Sequence, residues 1–434
     1  MIKNTIIYTV GAMIPKFLVF MLLPLYTNYL VPNEYAIVST ITAYNSLLII
    51  LFGLGFQSST VRIYYGIESK LDKNKFLIQT FLFLIIVGIL FSLILFFLKD
   101  FFGPVIFKNI SFDPYFEMLI IFTFFSSFQI IPFIAMRLKE QPFQFLFYNL
   151  FYSLVYLIFN VYFLVIQQQG VYGIIKGIIC SNIVAAVFLF IYMYKQFAFK
   201  FNLISNWKAH LGYVKFSLPF IFHMLAWSIF SVSDRIVIER YDSLYNLGIY
   251  SLGTQLVSTV MIIINSLNAA INPRIFKEYS SKKFIPEKFM NKILFGSIFI
   301  IGTISVGLDQ LIHPIIKIIG SDSYQVNYSF VKYLLIGAIL HTAYIYLAVP
   351  LFIHKKSVLI STITISTAAM NIVLNLFLIH KVGFHGVAIA TMISKATLVL
   401  LIAMAIRKYD VGYKFPFRKL IVLTLFFGLV LLVL

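Results

Sequence analysis

The chain has 434 residues, of which 61% are hydrophobic and 11% charged, with 48 phenylalanines and 27 tyrosines. Soluble domains carry about 25% charged residues, so this composition excludes a water-soluble enzyme. Thirty-four Lys and Arg against 15 acids give a formal net charge of +19. These bases come in short clusters between apolar runs, which argues for basic loops flanking membrane spans and against nucleic-acid binding. The one cysteine, Cys180, excludes an intramolecular disulfide and gives no multi-cysteine metal or redox chemistry.

Apolar stretches near the bilayer-crossing length of about 20 residues predict an all-α integral membrane protein. Twelve spans are expected, at 5–30, 36–60, 76–98, 116–136, 143–166, 172–194, 216–239, 247–271, 289–312, 331–353, 357–379 and 386–406. A further apolar run, Leu420 to Leu434, is short for a crossing and reads as a thirteenth span, a re-entrant piece or an interfacial helix. The first apolar run continues to Leu30 without a small-residue cleavage site, so it reads as a span and not as a signal peptide. Counted on alternate loops, 24 bases fall on the side of the N-terminus and five on the other. The N-terminus is therefore expected in the cytoplasm.

The second half of the chain repeats the first. A gapless shift of 212 residues lays span two on span eight, pairing Ser39 with Ser251, Thr42 with Thr254, Ser46 with Ser258 and Arg62 with Arg274. A shift of 213 lays span six on span twelve, pairing Gly170 and Gly173 with Gly383 and Gly386, and Ser181 with Ser394. Since six is even, both halves run the same way. The expected division is a lobe at 1–195, a basic and aromatic cytoplasmic linker at 196–215, a lobe at 216–406, and a basic loop with a hydrophobic tail at 407–434. Parallel repeats of this kind handle substrate between the halves.

Polar residues in the repeat fall at helical spacing: Ser39, Thr42, Ser46, Gly53, Gln57 and Thr60 in span two, and Thr254, Ser258, Asn265, Asn268 and Asn272 in span eight. Each hydroxyl alone reads as a helix-packing bond, whereas the symmetric pair of stripes reads as the wall of a shared lumen. Gly173, Gly177 and Ser181, like Gly386, Ala390 and Ser394, form close-packing faces.

Ionisable residues inside the spans carry most of the functional information, because each costs about 2.5–3.5 kcal/mol at a helix centre. Lys16, just after Pro15, lies in the middle of span one and Lys395 in the middle of span twelve. Lys176 lies about a turn inside span six, where snorkelling explains it as well as substrate binding does. Near the end of span seven, Asp234 and Arg235 read either as an ion pair that fixes packing or as a substrate or coupling site, with His223, Trp227 and Ser231 along the same face as Asp234. His223 and His341 are able to carry a proton, although hydrogen-bonded core histidines are the commoner case. Arg62 and Arg274, at matching ends of spans two and eight, read as topology anchors or as an entry site for an anion. No carboxylate lies deep in spans one to six, whereas an exporter of organic cations is expected to bury one in its cavity. The balance favours an anionic substrate.

Three segments carry a family resemblance. LPLYTNYLVPNEYAIVSTITAYNSLLIILFGLGFQSSTVRIYY, with its proline-containing first helix and P-x-E-Y turn, resembles the opening of bacterial polysaccharide-export flippases of the O-antigen and capsule type. SVSDRIVIERYDSLYNLGIYSLGTQL is similar to their span-seven-to-eight signature, an acid–base pair followed by Gly-x-Tyr, and GFHGVAIATMIS resembles their last-helix glycine motif, with Val387 between Gly386 and Ala388. The resemblance covers residues 1–406. It implies the fold of multidrug/oligosaccharidyl-lipid/polysaccharide exporters, in which two six-helix lobes form a V that opens alternately to each side of the bacterial cytoplasmic (inner) membrane.

The same resemblance implies that the substrate is a polyprenyl (undecaprenyl) pyrophosphate-linked oligosaccharide for O-antigen or capsule synthesis. Lys16 and Lys395, with Lys176, Arg62 and Arg274, would meet the pyrophosphate; Asp234, Arg235 or His223 would serve coupling to a proton or sodium gradient. Membrane lipids, and the polymerase and chain-length machinery, are the expected partners, with no nucleic acid, no cofactor and no covalent chemistry. A drug or organic-cation exporter of the same fold is the nearest alternative. A polysaccharide polymerase is the more distant one, because it would need a large outer loop with catalytic acids, and no catalytic constellation occurs in the loops 99–115 and 313–330.

Overall fold

A computed structural model describes residues 2–197, 207–282, 286–409, 413 and 416–433. Among them every regular element is helical, as lipid requires of a chain that must satisfy each backbone polar group internally. The first span is α1 (Ile2–Met21) continued by α2 (Leu23–Tyr29), and the second is α3 (Pro32–Phe52) continued by α4 (Phe56–Gly66). Next come α5 (Lys70–Phe97), the short α6 (Lys99–Ile106), the split span α7 (Tyr115–Ser127) and α8 (Ile130–Leu138), then α9 (Pro142–Val161), which ends in a π turn, and α10 (Gly170–Phe197). The second half comprises α11 (Trp207–Tyr241), α12 (Leu244–Lys282), α13 (Glu287–Ile319), α14 (Val331–Ile353), α15 (Ser357–Val382), α16 (Phe384–Lys408) and α17 (Phe417–Val433). Among the described residues twelve helical segments are long and apolar enough to cross a membrane, in the order expected. Of the expected linker, residues 198–206 lie outside the described residues.

Three spans expected to be continuous are interrupted, the first of them at Leu22, between α1 and α2. In the second, Leu54 and Gly55 adopt left-handed φ angles of 46° and 73° between α3 and α4. A Cβ at Gly55 would also stand 2.5 Å from the carbonyl oxygen of Ser217, so both the angle and the space call for glycine. In the fourth, Phe128 and Gln129 tighten to 3.3 Å bonds onto the carbonyls of Phe125 and Ser126, three residues back, before α8 resumes. The repeat is not obeyed here, because α12 runs unbroken through Ser266 and Leu267, the counterparts of Leu54 and Gly55.

The helices form two compact units. Unit 1 contains residues 1–19 and 37–232; unit 2 contains 20–36 and 233–434. Unit 1 packs Phe56, Phe76, Phe81, Phe83, Ile131 and Met193 into one aromatic-rich cluster. In unit 2, α17 docks along α13 and α14. There Phe427 lies 5.9 Å from the Phe299 ring, over Gly302, where a Cβ would come within 2.5 Å of the Phe427 ring.

Candidate functional site

A buried polar cluster of unit 2 centres on Asp234, near the end of α11 and 8% exposed. Its Oδ2 accepts hydrogen bonds from Tyr250 Oη of α12 at 2.6 Å and from Thr391 Oγ1 of α16 at 2.9 Å. Its Oδ1 accepts one from Asn375 Nδ2 of α15 at 3.0 Å. Bonds to a charged group are worth about 1.5–3 kcal/mol each, so three of them offset the roughly 2.5–3.5 kcal/mol cost of a carboxylate in a span. One side chain thus ties four helices together.

Asn371 and Asn375 stand one turn apart on α15 and face the same way. Asn371 Oδ1 accepts from Ser233 Oγ at 2.9 Å and from Asn375 Nδ2 at 3.2 Å, and its Nδ2 reaches Thr391 Oγ1 at 3.4 Å. Both asparagines are fully buried, and Asn375 Oδ1 is left without a donor. The oxygens of Asp234, Asn371 and Thr391 are all engaged in hydrogen bonds within the cluster, and Asn375 Oδ1 is its unfilled acceptor.

Lys395 follows Thr391 by one turn on α16 and so shares its face. Its stem lies across α14, with Cδ 3.3 Å from where a Cβ of Gly337 would stand. The ammonium acts electrostatically on Asp234 and on His341, which is buried one turn beyond Gly337. An acid, a lysine and a histidine are therefore gathered within one unit of apolar helices.

A family model described as polysaccharide biosynthesis protein matches residues 1–279. The chain belongs to this family. Among curated relatives, the Lsg locus putative protein 1 of Haemophilus influenzae is 26% identical over 366 residues, spanning 83% of this chain and 86% of that protein. An uncharacterized membrane protein of Methanocaldococcus jannaschii is 22% identical over 259 residues, 56% of this chain and 60% of its own length. Among solved structures, the lipid II flippase MurJ in an inward closed conformation aligns with a TM-score of 0.76 and 17% identity, over 100% of this chain and 92% of that one. An inward-facing multidrug resistance transporter aligns at a TM-score of 0.58 and 14% identity, over 93% and 99%. The fold is the one these two solved structures share, with twelve helical segments of membrane-crossing length among the described residues.

Two of the family resemblances now have a physical content. The Gly-x-Tyr after the acid–base pair is Gly248-Ile249-Tyr250: Tyr250 is the donor to Asp234, and a Cβ at Gly248 would stand 2.0 Å from the carbonyl oxygen of Pro32. The acid–base pair itself is corrected. Asp234 and Arg235 form no ion pair, because successive helical residues point about 100° apart; Arg235 instead donates from Nη2 to Thr254 Oγ1 at 3.4 Å. Among the described residues the close ion pairs are Lys99–Glu117 at 2.5 Å and Lys75–Asp72 at 3.6 Å.

The other expected site residues are dispersed. Lys16 is exposed on α1, and Arg274 is exposed on α12. Arg62, also exposed, lies 5.4 Å over the ring of Phe216. Lys176 is engaged locally, 3.3 Å from Gln169 Oε1 and 4.3 Å over the ring of Tyr172. The side chain of His223 lies outside the described residues. In the polar stripes, the hydroxyls of Thr42, Ser46, Thr254 and Ser258 donate to carbonyls of their own helices at 2.6–2.9 Å, so their protons are used within the helix, while Thr254 Oγ1 also accepts from Arg235 of α11. Sequence reading missed Asn371, Asn375, Thr391 and Tyr250. A pair of asparagines at i, i+4 in an otherwise apolar span was the available signal.

Proposed function

We propose that this chain flips a polyprenyl-pyrophosphate-linked oligosaccharide across the cytoplasmic membrane for surface polysaccharide synthesis, by alternating access. The observation that carries this reading is the MurJ-like fold over the whole chain, in a member of the polysaccharide biosynthesis protein family. Lys395 and Lys16 supply cations to the pyrophosphate, with Arg62 and Arg274 as peripheral anion contacts. A diphosphate in a low-dielectric site needs such charge-assisted bonds.

The Asp234 cluster supplies coupling. Its oxygen-rich donor set, with Asn375 Oδ1 lacking a donor, suits a proton or a sodium ion, and Lys395 links the occupancy of that site electrostatically to an anion bound nearby. An organic-cation exporter is the poorer reading, because the carboxylate is consumed by three internal donors and is not presented to a large cation.

Complementation of a flippase-deficient strain, scored by surface glycan, tests the function. Full display with both Lys16 and Lys395 replaced by alanine sinks the anion reading; transport into liposomes that ignores both proton and sodium gradients sinks the coupling.

A further inference from the structure

Unit 1 contains a cavity of about 430 Å³ that none of the functional assignments above uses. That volume lies within the range of about 300–1,000 Å³ usual for small-molecule sites. Asn45, Gln57, Ser126, Gln129, Tyr152 and Asn182 provide its polar wall. Phe122 and Phe133 supply aromatic faces, three isoleucines fill between them, and Arg137 is the one charged residue of the lining. No carboxylate borders it.

The backbone marks the same place independently. Both span interruptions that fall in unit 1 lie beside this cavity: Gln57 follows the Gly53–Gly55 interruption, and Ser126, Gln129 and Ile130 flank the interruption between α7 and α8. Irregular backbone at membrane depth is tolerated where it lines a cavity, and interrupted helices are a pointer to substrate sites in transporters. At the centre sits Asn182, 1% exposed. Its Oδ1 accepts from Gln129 Nε2 at 3.3 Å and from Ser126 Oγ at 3.4 Å, and its Nδ2 donates to the Ile178 carbonyl oxygen at 2.8 Å and, more weakly, to Tyr152 Oη at 3.5 Å. The three bonds of 3.3–3.5 Å are ones a ligand hydroxyl can replace, and Asn45 Oδ1 is buried with no donor at all.

We propose that this cavity is a glycosyl-binding pocket, which receives one sugar residue bearing an anionic group. Amides and hydroxyls at several angles suit a ring of hydroxyl groups; Phe122 and Phe133 suit its apolar face; Arg137 suits a carboxylate or phosphate on its rim. The absence of an acid from the lining disfavours a cationic ligand, and the polar wall disfavours a lipid tail. By the 213-residue repeat, Asn182 is the counterpart of Lys395. The same helical position thus carries an amide for a sugar in unit 1 and a cation in unit 2. The proposal rests on the flippase reading for its biological sense, but its test does not.

Purified full-length protein in detergent is titrated with methyl glucuronide, methyl glucoside, glucose 1-phosphate and inorganic phosphate by calorimetry. The expected result is saturable one-to-one binding of methyl glucuronide or glucose 1-phosphate. Asn182→Ala and the near-isosteric Gln129→Leu each weaken it about tenfold or more, the loss of one to two hydrogen bonds. Arg137→Gln brings the charged sugars down to the affinity of methyl glucoside. Binding by none of the three sugars, binding that ignores both Asn182→Ala and Gln129→Leu, or phosphate bound as tightly as glucose 1-phosphate overturns the proposal. If Asn182→Ala fails to fold, Gln129→Leu and Gln57→Leu decide it. Surface-glycan complementation reports on the flippase reading and sugar titration on the pocket, so either can fail while the other stands.

Discussion

Asn375 donates a 3.0 Å hydrogen bond to Asp234, 141 residues earlier in the chain, while its own Oδ1 is buried without a donor. On the coupling reading proposed above, that oxygen and the carboxylate are what a proton or a sodium ion would meet. Asp234→Asn keeps the shape and removes the charge. Coupling free energies of about 1–3 kcal/mol correspond to roughly 5–150-fold, so gradient-driven transport by this variant should fall within that range and lose its dependence on both proton and sodium gradients. Proteoliposome flux under each gradient in turn measures it.

Tyr250→Phe separates stability from charge. It deletes the 2.6 Å bond to Asp234 and leaves the ring stacked on Phe330 at 5.3 Å. The cost should be about 1.5–3 kcal/mol, that of one bond to a charged group. A lowered thermal midpoint in detergent, with monodisperse protein, is the expected outcome.

Lysines in spans should differ sharply. Lys395→Ala is expected to cut surface-glycan display about tenfold or more, because its ammonium acts electrostatically on the buried acid. Lys176→Ala should leave display near the parental level, since Gln169 and the Tyr172 ring already occupy that ammonium. Quantitative glycan blots of the two variants, normalised to membrane protein level, compare them.

Gly248→Ala tests the close approach of the second-span entry to α12. A Cβ 2.0 Å from the Pro32 carbonyl oxygen requires backbone movement, and overpacking costs about 1–3 kcal/mol. Gly296→Ala, on a helix with nothing within 4 Å of its Cβ, should be neutral or slightly stabilising. Thermal unfolding of both by intrinsic fluorescence gives the contrast.

The spans were legible because bilayer thickness imposes a length and apolarity that few other constraints imitate. Asp234 and Lys395 were legible for the same reason in reverse, as charges where charge is costly. What could not be read was their company. Tyr250, Asn375 and Thr391 come from three other helices, up to 157 residues away, and amides and hydroxyls are too common in spans to single out without the packing. Arg235 misled because adjacency in sequence is not adjacency on a helix. The break at Phe128–Gln129 carries neither glycine nor proline, so nothing local announced it; the one at Leu54–Gly55 was written in its glycines, yet the unbroken counterpart in α12 argued the other way.

Chain passes from unit 1 to unit 2 after Val19, returns after Ala36 and passes over again after Val232, the first and last of these crossings lying 213 residues apart within the first helical stretch of each half. Neither compact body is therefore encoded by one half of the gene. A cut between residues 197 and 207 would yield an N-terminal fragment missing the 207–232 segment of its own body, and a C-terminal fragment missing 20–36.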